Sequence, residues 1–244
     1  MKLVGHDLRW AVVRELGRSD LRVTELIDRV GETGNLVSYH LTKLRADGLV
    51  RERRSSADAR EVYYSLDLDR FQRMLSETAA RVHRALVPPV LSPVPADGGA
   101  PARVLFLCTH NSARSQIAEG MLRQAAGDRV LVASAGSEPT DLHPLAVEVM
   151  ARRAIDIRRQ SPKHVDSLAG EHFDVVITLC DAVREVCPSF AGSPELVHWS
   201  LPDPVQARPD ALENAFETVA AEIERRVRYL VPLLDERRGA ASVR

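Results

Sequence analysis

Cysteine is scarce in this sequence: three residues in 244, at Cys108, Cys180 and Cys187, with none ahead of Cys108. No apolar run approaches the ~20 residues of a membrane span, and the opening MKLVGHDLRW lacks a signal-peptide core. A cytoplasmic protein without membrane contact is therefore expected. In that compartment cysteines stay reduced unless they do redox chemistry, which speaks against a structural disulfide. Internal repeats are also missing. Charge of one sign is missing only overall, the formal net charge being -1. Through Val90, 16 Lys+Arg stand against 13 Asp+Glu; the remainder has 17 against 21. A mildly basic front half and an acidic back half suggest two modules with different partners. The 45% hydrophobic and 27% charged residues are ordinary for a soluble globular protein. The length fits one large domain or two small ones.

The division falls at residues 87–102, VPPVLSPVPADGGAPA, with five prolines, two glycines and no helical or alternating period. Such a stretch reads as a semi-extended linker. Ahead of it the pattern is helical. DLRWAVVREL sets Leu8, Ala11, Val12 and Leu16 on one face. VTELIDRVG follows, with Gly31 as a stop. In GNLVSYHLTKLRADGLV a face of Leu36, Val37, His40, Leu41 and Leu44 precedes Gly48, which ends the helix. VRERRSSADAREVYYSLD predicts two short strands around a polar turn. LDRFQRMLSETAARVHRAL then carries Leu68, Phe71, Leu75, Val82 and Leu86 at helical spacing. His40, on an apolar helix side, reads as a core or interface histidine.

Two short helices joined by a glycine turn, then a basic hairpin, read as a winged helix-turn-helix. VSYHLTKLRADGLVRERR…REVYYSL resembles the recognition helix and wing of ArsR/SmtB-type bacterial repressors over about residues 5–86. The resemblance implies a second helix in the DNA major groove and a homodimer through the terminal helices. By position, Asn35, Ser38, Tyr39, Thr42 and Lys43 would face operator DNA, with Arg51, Arg53, Arg54 and Arg60 on phosphates. Sensors of that family usually hold arsenite or metal through clustered cysteines, or through histidines and carboxylates. No cysteine precedes Cys108, so arsenite sensing by thiols of this half is excluded; His83 offers a lone histidine only.

Behind the linker, RVLFLCTHNSARSQ runs a short apolar strand into Cys108, and QIAEGMLRQAAG reads as an amphipathic helix ending at Gly127. Cys108 thus sits at the carboxyl end of a strand, where α/β sheets place ligands. A Cys-x5-Arg loop can curl so that the backbone N–H groups of Thr109, His110, Asn111, Ser112 and Ala113 converge, beside a helix amino terminus. A tetrahedral oxyanion fits that cradle, and Arg114 can clamp it with two parallel hydrogen bonds. The same field is expected to lower the pKa of Cys108, with Ser115 donating to the thiolate and Asn111 as a strut. A general acid is also required, and HWSLPDPVQ offers Asp203 between two prolines.

Together the cysteine loop, ASAG at 133–136 and the Asp-Pro acid resemble the low-molecular-weight protein tyrosine phosphatase fold over about residues 103–236. That fold hosts phosphate-ester hydrolysis and arsenate reduction. VVITLCDAVREVCP resembles the cysteine pair of thioredoxin-coupled arsenate reductases. The resemblance implies that Cys108 attacks arsenate and Asp203 protonates the departing hydroxyl. Cys180 then releases arsenite by forming a disulfide with Cys108, and Cys187 takes over that bond for thioredoxin, or another thiol carrier, to reduce. Seven helical residues rise about 10 Å, whereas bridged Cα atoms lie within about 7 Å, so a helical DAVREVC would have to unwind. Phosphatases of the fold usually follow the acid with aromatics; DPVQARPDALENAF has none until Phe216.

The expectation is a multidomain chain. A mainly-α winged helix-turn-helix (1–86) and a Pro-rich linker (87–102) precede an α/β three-layer domain with a parallel sheet (103–244), low-molecular-weight phosphatase-like. The expected function is arsenate reduction fused to arsenic-responsive DNA binding, with no bound cofactor and no metal; His143, His164, His172 and His198 show no ligand spacing and are given no role. Two alternatives stay open: a tyrosine phosphatase with a DNA-binding domain, and a repressor whose back half only senses an oxyanion.

Overall fold

The computed structural model describes residues 6–83, 100–168, 170–185 and 190–241, the side chains of 238–241 excepted. The chain divides into two compact units that part at residues 90 and 91.

The first unit comprises α1 (Asp7–Leu16), β1 (Leu21–Arg22), α2 (Val23–Val30), α3 (Gly34–Ala46), β2 (Val50–Arg54), β3 (Val62–Leu66) and α4 (Leu68–Val82). Leu8, Val12, Leu16, Leu26, Val37 and Leu44 fill the space between α1, α2 and α3. The three strands form an antiparallel sheet in the order β1-β3-β2, with Arg53 opposite Tyr63. Glycines sit where the backbone turns left-handed: Gly31 (φ 73°) closes α2 and Gly48 (φ 66°) follows α3.

Two apolar faces expected from helical spacing are not fully covered. Leu36 is exposed on α3, because the packing side of that helix is centred on Val37, His40, Leu41 and Leu44. On α4, Leu75 is 40% and Val82 71% exposed, and no α4 residue is buried. Leu86 and the linker core at 87–99 lie outside the described residues.

The second unit carries β4 (Ala102–Cys108), α5 (Arg114–Ala126), β5 (Val130–Gly136), α6 (Pro144–Ala151), β6 (Val175–Thr178), α7 (Asp181–Glu185), β7 (Glu195–His198) and α8 (Leu212–Ala241). Its four strands are all parallel, in the order β5-β4-β6-β7. Val104 to Cys108 are buried without interruption, as a central parallel strand covered on both faces requires. After β4 the chain first adds β5 on one side and then returns to add β6 on the other. The strand order reverses at β4, and its carboxyl end is where such sheets open a crevice.

The helix after Cys108 departs from the expected amphipathic pattern. Arg114 to Leu122 are all buried, including Gln116 and Glu119. α5 packs on β4 and β5 and is also met by α6 and α8. A helix enclosed on several sides hides its periodicity.

Candidate active site

Strand β4 delivers Cys108 to the rim of the sheet, and residues 109–113 curl before α5 begins at Arg114. Asn111 turns this loop with a left-handed backbone (φ 46°), unusual for a residue with a side chain. Its buried amide explains how the strain is held. Nδ2 donates to Ser115 Oγ and Ser134 Oγ, both at 2.8 Å. Oδ1 accepts from Gln116 Nε2 (3.2 Å) and from the backbone N–H of Lys163 (2.7 Å). The loop is laced from outside too: the carbonyls of Thr109, His110 and Ser112 accept from the N–H groups of Glu138, Thr140 and His143, each at 2.9 Å. Carbonyls drawn outward leave the inner side of the loop to its N–H groups.

At the centre, Cys108 Sγ lies 2.9 Å from Ser115 Oγ and accepts the Asn111 N–H at 3.2 Å. Burial pushes the Cys108 thiol up, and neighbouring Cys180 adds to this, while Arg114 and Ser115 pull it down. The net direction is upward, which corrects the expectation of a lowered pKa. A thiol enclosed by the sheet loses more hydration than one guanidinium returns.

Arg114 is buried at the start of α5. Its Nη1 donates to the Leu201 carbonyl at 3.2 Å, and Nη2 meets Asp203 Oδ2 at 3.1 Å. The loop with Asp203 is thereby docked over the cysteine loop, and Asp203 Oδ1 accepts the Val205 N–H at 3.2 Å, opening the next turn. An oxyanion entering here competes with Asp203 for the guanidinium. Ser112 and Ala113 are buried in the loop, Thr109 and His110 half-buried; His110 Nδ1 lies 3.2 Å from the Glu138 carbonyl.

Strand β6, next to β4, brings in the second thiol. The Leu179 N–H donates to the Leu107 carbonyl at 2.7 Å, and Cys180 follows, buried, with its Sγ 3.2 Å from Thr109 Oγ1. Cys108 and Cys180 are both free thiols. Cys187 lies outside the described residues.

In the first unit, Asn35, Ser38, Tyr39, Thr42 and Lys43 are all exposed on α3. Lys43 Nζ sits 5.5 Å above the Tyr39 ring, while the Thr42 hydroxyl donates back to the Ser38 carbonyl. The hairpin arginines have local partners: Arg51 pairs with Asp67, Arg60 with Asp58 (2.7 Å), and Arg53 and Arg54 donate to the carbonyls of Arg54 and Ala59. His40 is buried and lies 4.5 Å from the His6 ring. His83 is exposed after α4, and among the described residues no group of three metal-binding side chains occurs.

Sequence reasoning gives no role to Gln116, Lys163 or, within ASAG, Ser134, which hold Asn111, nor to the buried His198 bonded to Asp181. Gly136 was noted only as part of ASAG. It stands opposite Cys108 in the β4–β5 register, where a Cβ would come within 2.4 Å of the Thr109 carbonyl.

The model of the low molecular weight phosphotyrosine protein phosphatase family matches residues 103–240. Arsenate reductases of Halalkalibacterium halodurans and Bacillus subtilis are each 39% identical over 127 residues, covering 51% of this chain and 91% of theirs. A solved structure of an arsenate reductase in the phosphate binding state is 30% identical, covering 55% of this chain and 98% of that one, with a TM-score of 0.49. Among the described residues, no helix is long and apolar enough to cross a membrane.

Proposed function

This chain belongs, through residues 103–240, to the low molecular weight phosphotyrosine protein phosphatase family, and on that premise we propose that it is an arsenate reductase working by a three-cysteine relay. The observation that carries the reading is the second thiol: Cys180, two residues past the strand beside β4, hydrogen-bonded to the residue next to Cys108. Phosphate-ester hydrolysis has no use for a thiol there.

In the first step the Cys108 thiolate forms a sulfur–arsenic bond to arsenate, and one hydroxyl leaves as water after Asp203 supplies the proton. Arg114, Ser115 and the N–H groups of residues 109–113 hold the charge that develops on the oxygens. The Cys180 thiolate next attacks the Cys108 sulfur. The sulfur–arsenic bond breaks with its electron pair left on arsenic, so arsenic(V) departs as arsenite and a Cys108–Cys180 disulfide remains. Cys187 attacks Cys180 and frees Cys108. Thioredoxin, or another dithiol carrier, returns the two electrons to the Cys180–Cys187 bond. No bound cofactor enters this scheme.

The same reading assigns residues 1–86 to a winged helix-turn-helix that binds operator DNA as a homodimer, residues 87–102 to a linker, and 103–244 to the reductase, all in the cytoplasm. The exposed α3 face of Asn35, Ser38, Tyr39, Thr42 and Lys43, ahead of the β2–β3 hairpin, supports it. The arginines of the hairpin would exchange Asp58 and Asp67 for phosphates. With no thiol of its own, this half takes its arsenic signal from the state of the three cysteines behind it.

The deciding experiment follows NADPH oxidation with thioredoxin, thioredoxin reductase and arsenate. Wild type turns over, and Cys187→Ser stops after about one event. Silence in both proteins, with fast hydrolysis of aryl phosphates, would return the chain to the phosphatases; tight arsenate binding without either reaction would mark an oxyanion sensor.

A further inference from the structure

Directly after Cys180 the first residue of α7 places a carboxylate in the interior. Asp181 is 0% exposed. A buried carboxylate is costly unless it is well bonded, and two side chains from the end of β7 meet the same oxygen. His198 Nε2 lies 3.0 Å from Asp181 Oδ1, and Ser200 Oγ donates to it at 2.9 Å. The other imidazole nitrogen is fixed as well: His198 Nδ1 lies 2.8 Å from Thr178 Oγ1 and 3.2 Å from the Thr178 carbonyl. Thr178 and His198 are opposite one another in the β6–β7 register. The ring, carried by β7, is therefore oriented by the last residue of β6 and presented to Asp181, which follows that same strand. Cys180 sits between these fixtures, one residue before Asp181 and two after Thr178.

This arrangement meets a demand of the relay. The helical residues Asp181–Glu185 follow Cys180; were a helix to run on to Cys187, the two Cα atoms would stand too far apart for a disulfide. On the reductase reading, Cys180 takes part in two different disulfides in each cycle. Cys180 nevertheless has to return to a position from which it can reach the Cys108 sulfur, and its hydrogen bond to Thr109 alone is a weak guide. An anchor at Asp181 holds the residue next to Cys180 in place through the cycle.

Resting on the reductase reading, we infer that His198 is a positioning residue for the second step: through Asp181 it fixes the backbone beside Cys180 and aims that thiol at Cys108. The first step does not depend on it, because Arg114 and Asp203 are tied to each other directly.

The test uses the full chain in a Cys187→Ser background, where the Cys108–Cys180 disulfide accumulates and is quantified by rapid acid quench, alkylation and peptide mass analysis. Arsenate binding is read separately in a Cys180→Ser, Cys187→Ser background, where no disulfide with Cys108 can form, as protection of Cys108 from alkylation. Asp181→Ala, which removes the buried carboxylate instead of orphaning it, slows disulfide formation at least about tenfold, since misplacement of a reacting group by ~1 Å costs up to ~100-fold. The concentration of arsenate that protects Cys108 stays unchanged. His198→Leu, which removes the donor, slows it as well, whereas His198→Gln, whose amide can donate to Asp181 as Nε2 does, keeps most of the parental rate. A folded Asp181→Ala or His198→Leu protein with the parental rate overturns the inference, and so does an equal loss in binding and in the second step. Slowing of His198→Gln equal to that of His198→Leu also overturns it, because a donor to Asp181 would then be of no consequence. Should the parent itself protect Cys108 yet form no disulfide, the reductase reading falls and takes this inference with it.

Discussion

Replacing Gly136 by alanine tests how closely the anion loop is fitted to the sheet. An added Cβ would lie 2.4 Å from the Thr109 carbonyl oxygen, and 2.9 Å from both the Asn111 nitrogen and the Cys108 carbonyl oxygen. All three are backbone atoms of the loop, so no rotamer change relieves the contact. Ordinary van der Waals separation, ~3.5–4.0 Å for such atoms, demands a displacement of about 1 Å. Overpacking of this kind costs ~1–3 kcal/mol of stability, which a domain with a continuous core survives. Catalysis is less forgiving: a ~1 Å error in the position of reacting groups costs ~100-fold, or ~2.7 kcal/mol of transition-state stabilisation. The expected outcome is a Gly136→Ala protein that melts cooperatively a few degrees low, with kcat/KM for arsenate down about 100-fold. Undiminished kcat/KM in that folded variant would refute the claim that this glycine sets the loop.

Three further outcomes follow from the geometry. Burial raises the Cys108 pKa while Arg114 lowers it, so the thiolate fraction grows only as pH rises beyond the ordinary thiol range; Arg114→Ala shifts the pH profile of Cys108 alkylation further upward, and a shift downward would contradict this electrostatic account. Asn111→Leu removes the partners of Ser134, Gln116 and the Lys163 N–H together and puts a leucine at φ 46°; at ~1–3 kcal/mol per buried polar group left unpaired, urea denaturation should show a loss of at least about 3 kcal/mol, and a loss under 1 kcal/mol would mean the strut is dispensable. Arg54→Ala should weaken duplex DNA binding at every sequence and reduce the slope of log K against log salt by about 1; an unchanged slope would take Arg54 off the phosphates.

What the sequence made legible was local. VLFL followed by CTHNSAR carries a strand, a loop and a helix start within fifteen residues, and the glycines after α2 and α3 mark their ends where a left-handed backbone is needed. The missed residues are those whose meaning depends on strand neighbours. Ser134, Gln116 and Lys163 are unremarkable in sequence, and only the fold gathers them on Asn111, from β5, from the first turn of α5 and from the loop after α6. His198 shows no ligand spacing, since its partners Thr178 and Asp181 come from the preceding strand and turn. Periodicity also misled in both directions. It overcounted the covered faces of α3 and α4 at Leu36, Leu75 and Val82, and it read α5 as half-solvated although sheet and helices enclose it. A pattern reports which side is apolar, not how many neighbours arrive. The Cys108 pKa erred for a related reason: Arg114 is visible in the motif, whereas the depth of burial is not.

The β4–β6 pairing has a further consequence for how the site comes into being. Leu107 lies opposite Thr178, so the two thiols stand one and two residues beyond a single rung of the sheet. Neighbouring strands are ~4.8 Å apart whatever the chain does between them. The whole excursion through β5 and α6 can therefore lengthen at its surface turns with little penalty, since closure entropy grows only logarithmically with length. Before that rung forms, nothing holds the thiols together. Parallel pairing across so long a separation is a slow event in folding. The newly made chain therefore carries Cys108 apart from Cys180 until the sheet is complete, and the chance of these two oxidising one another before the site exists shrinks accordingly.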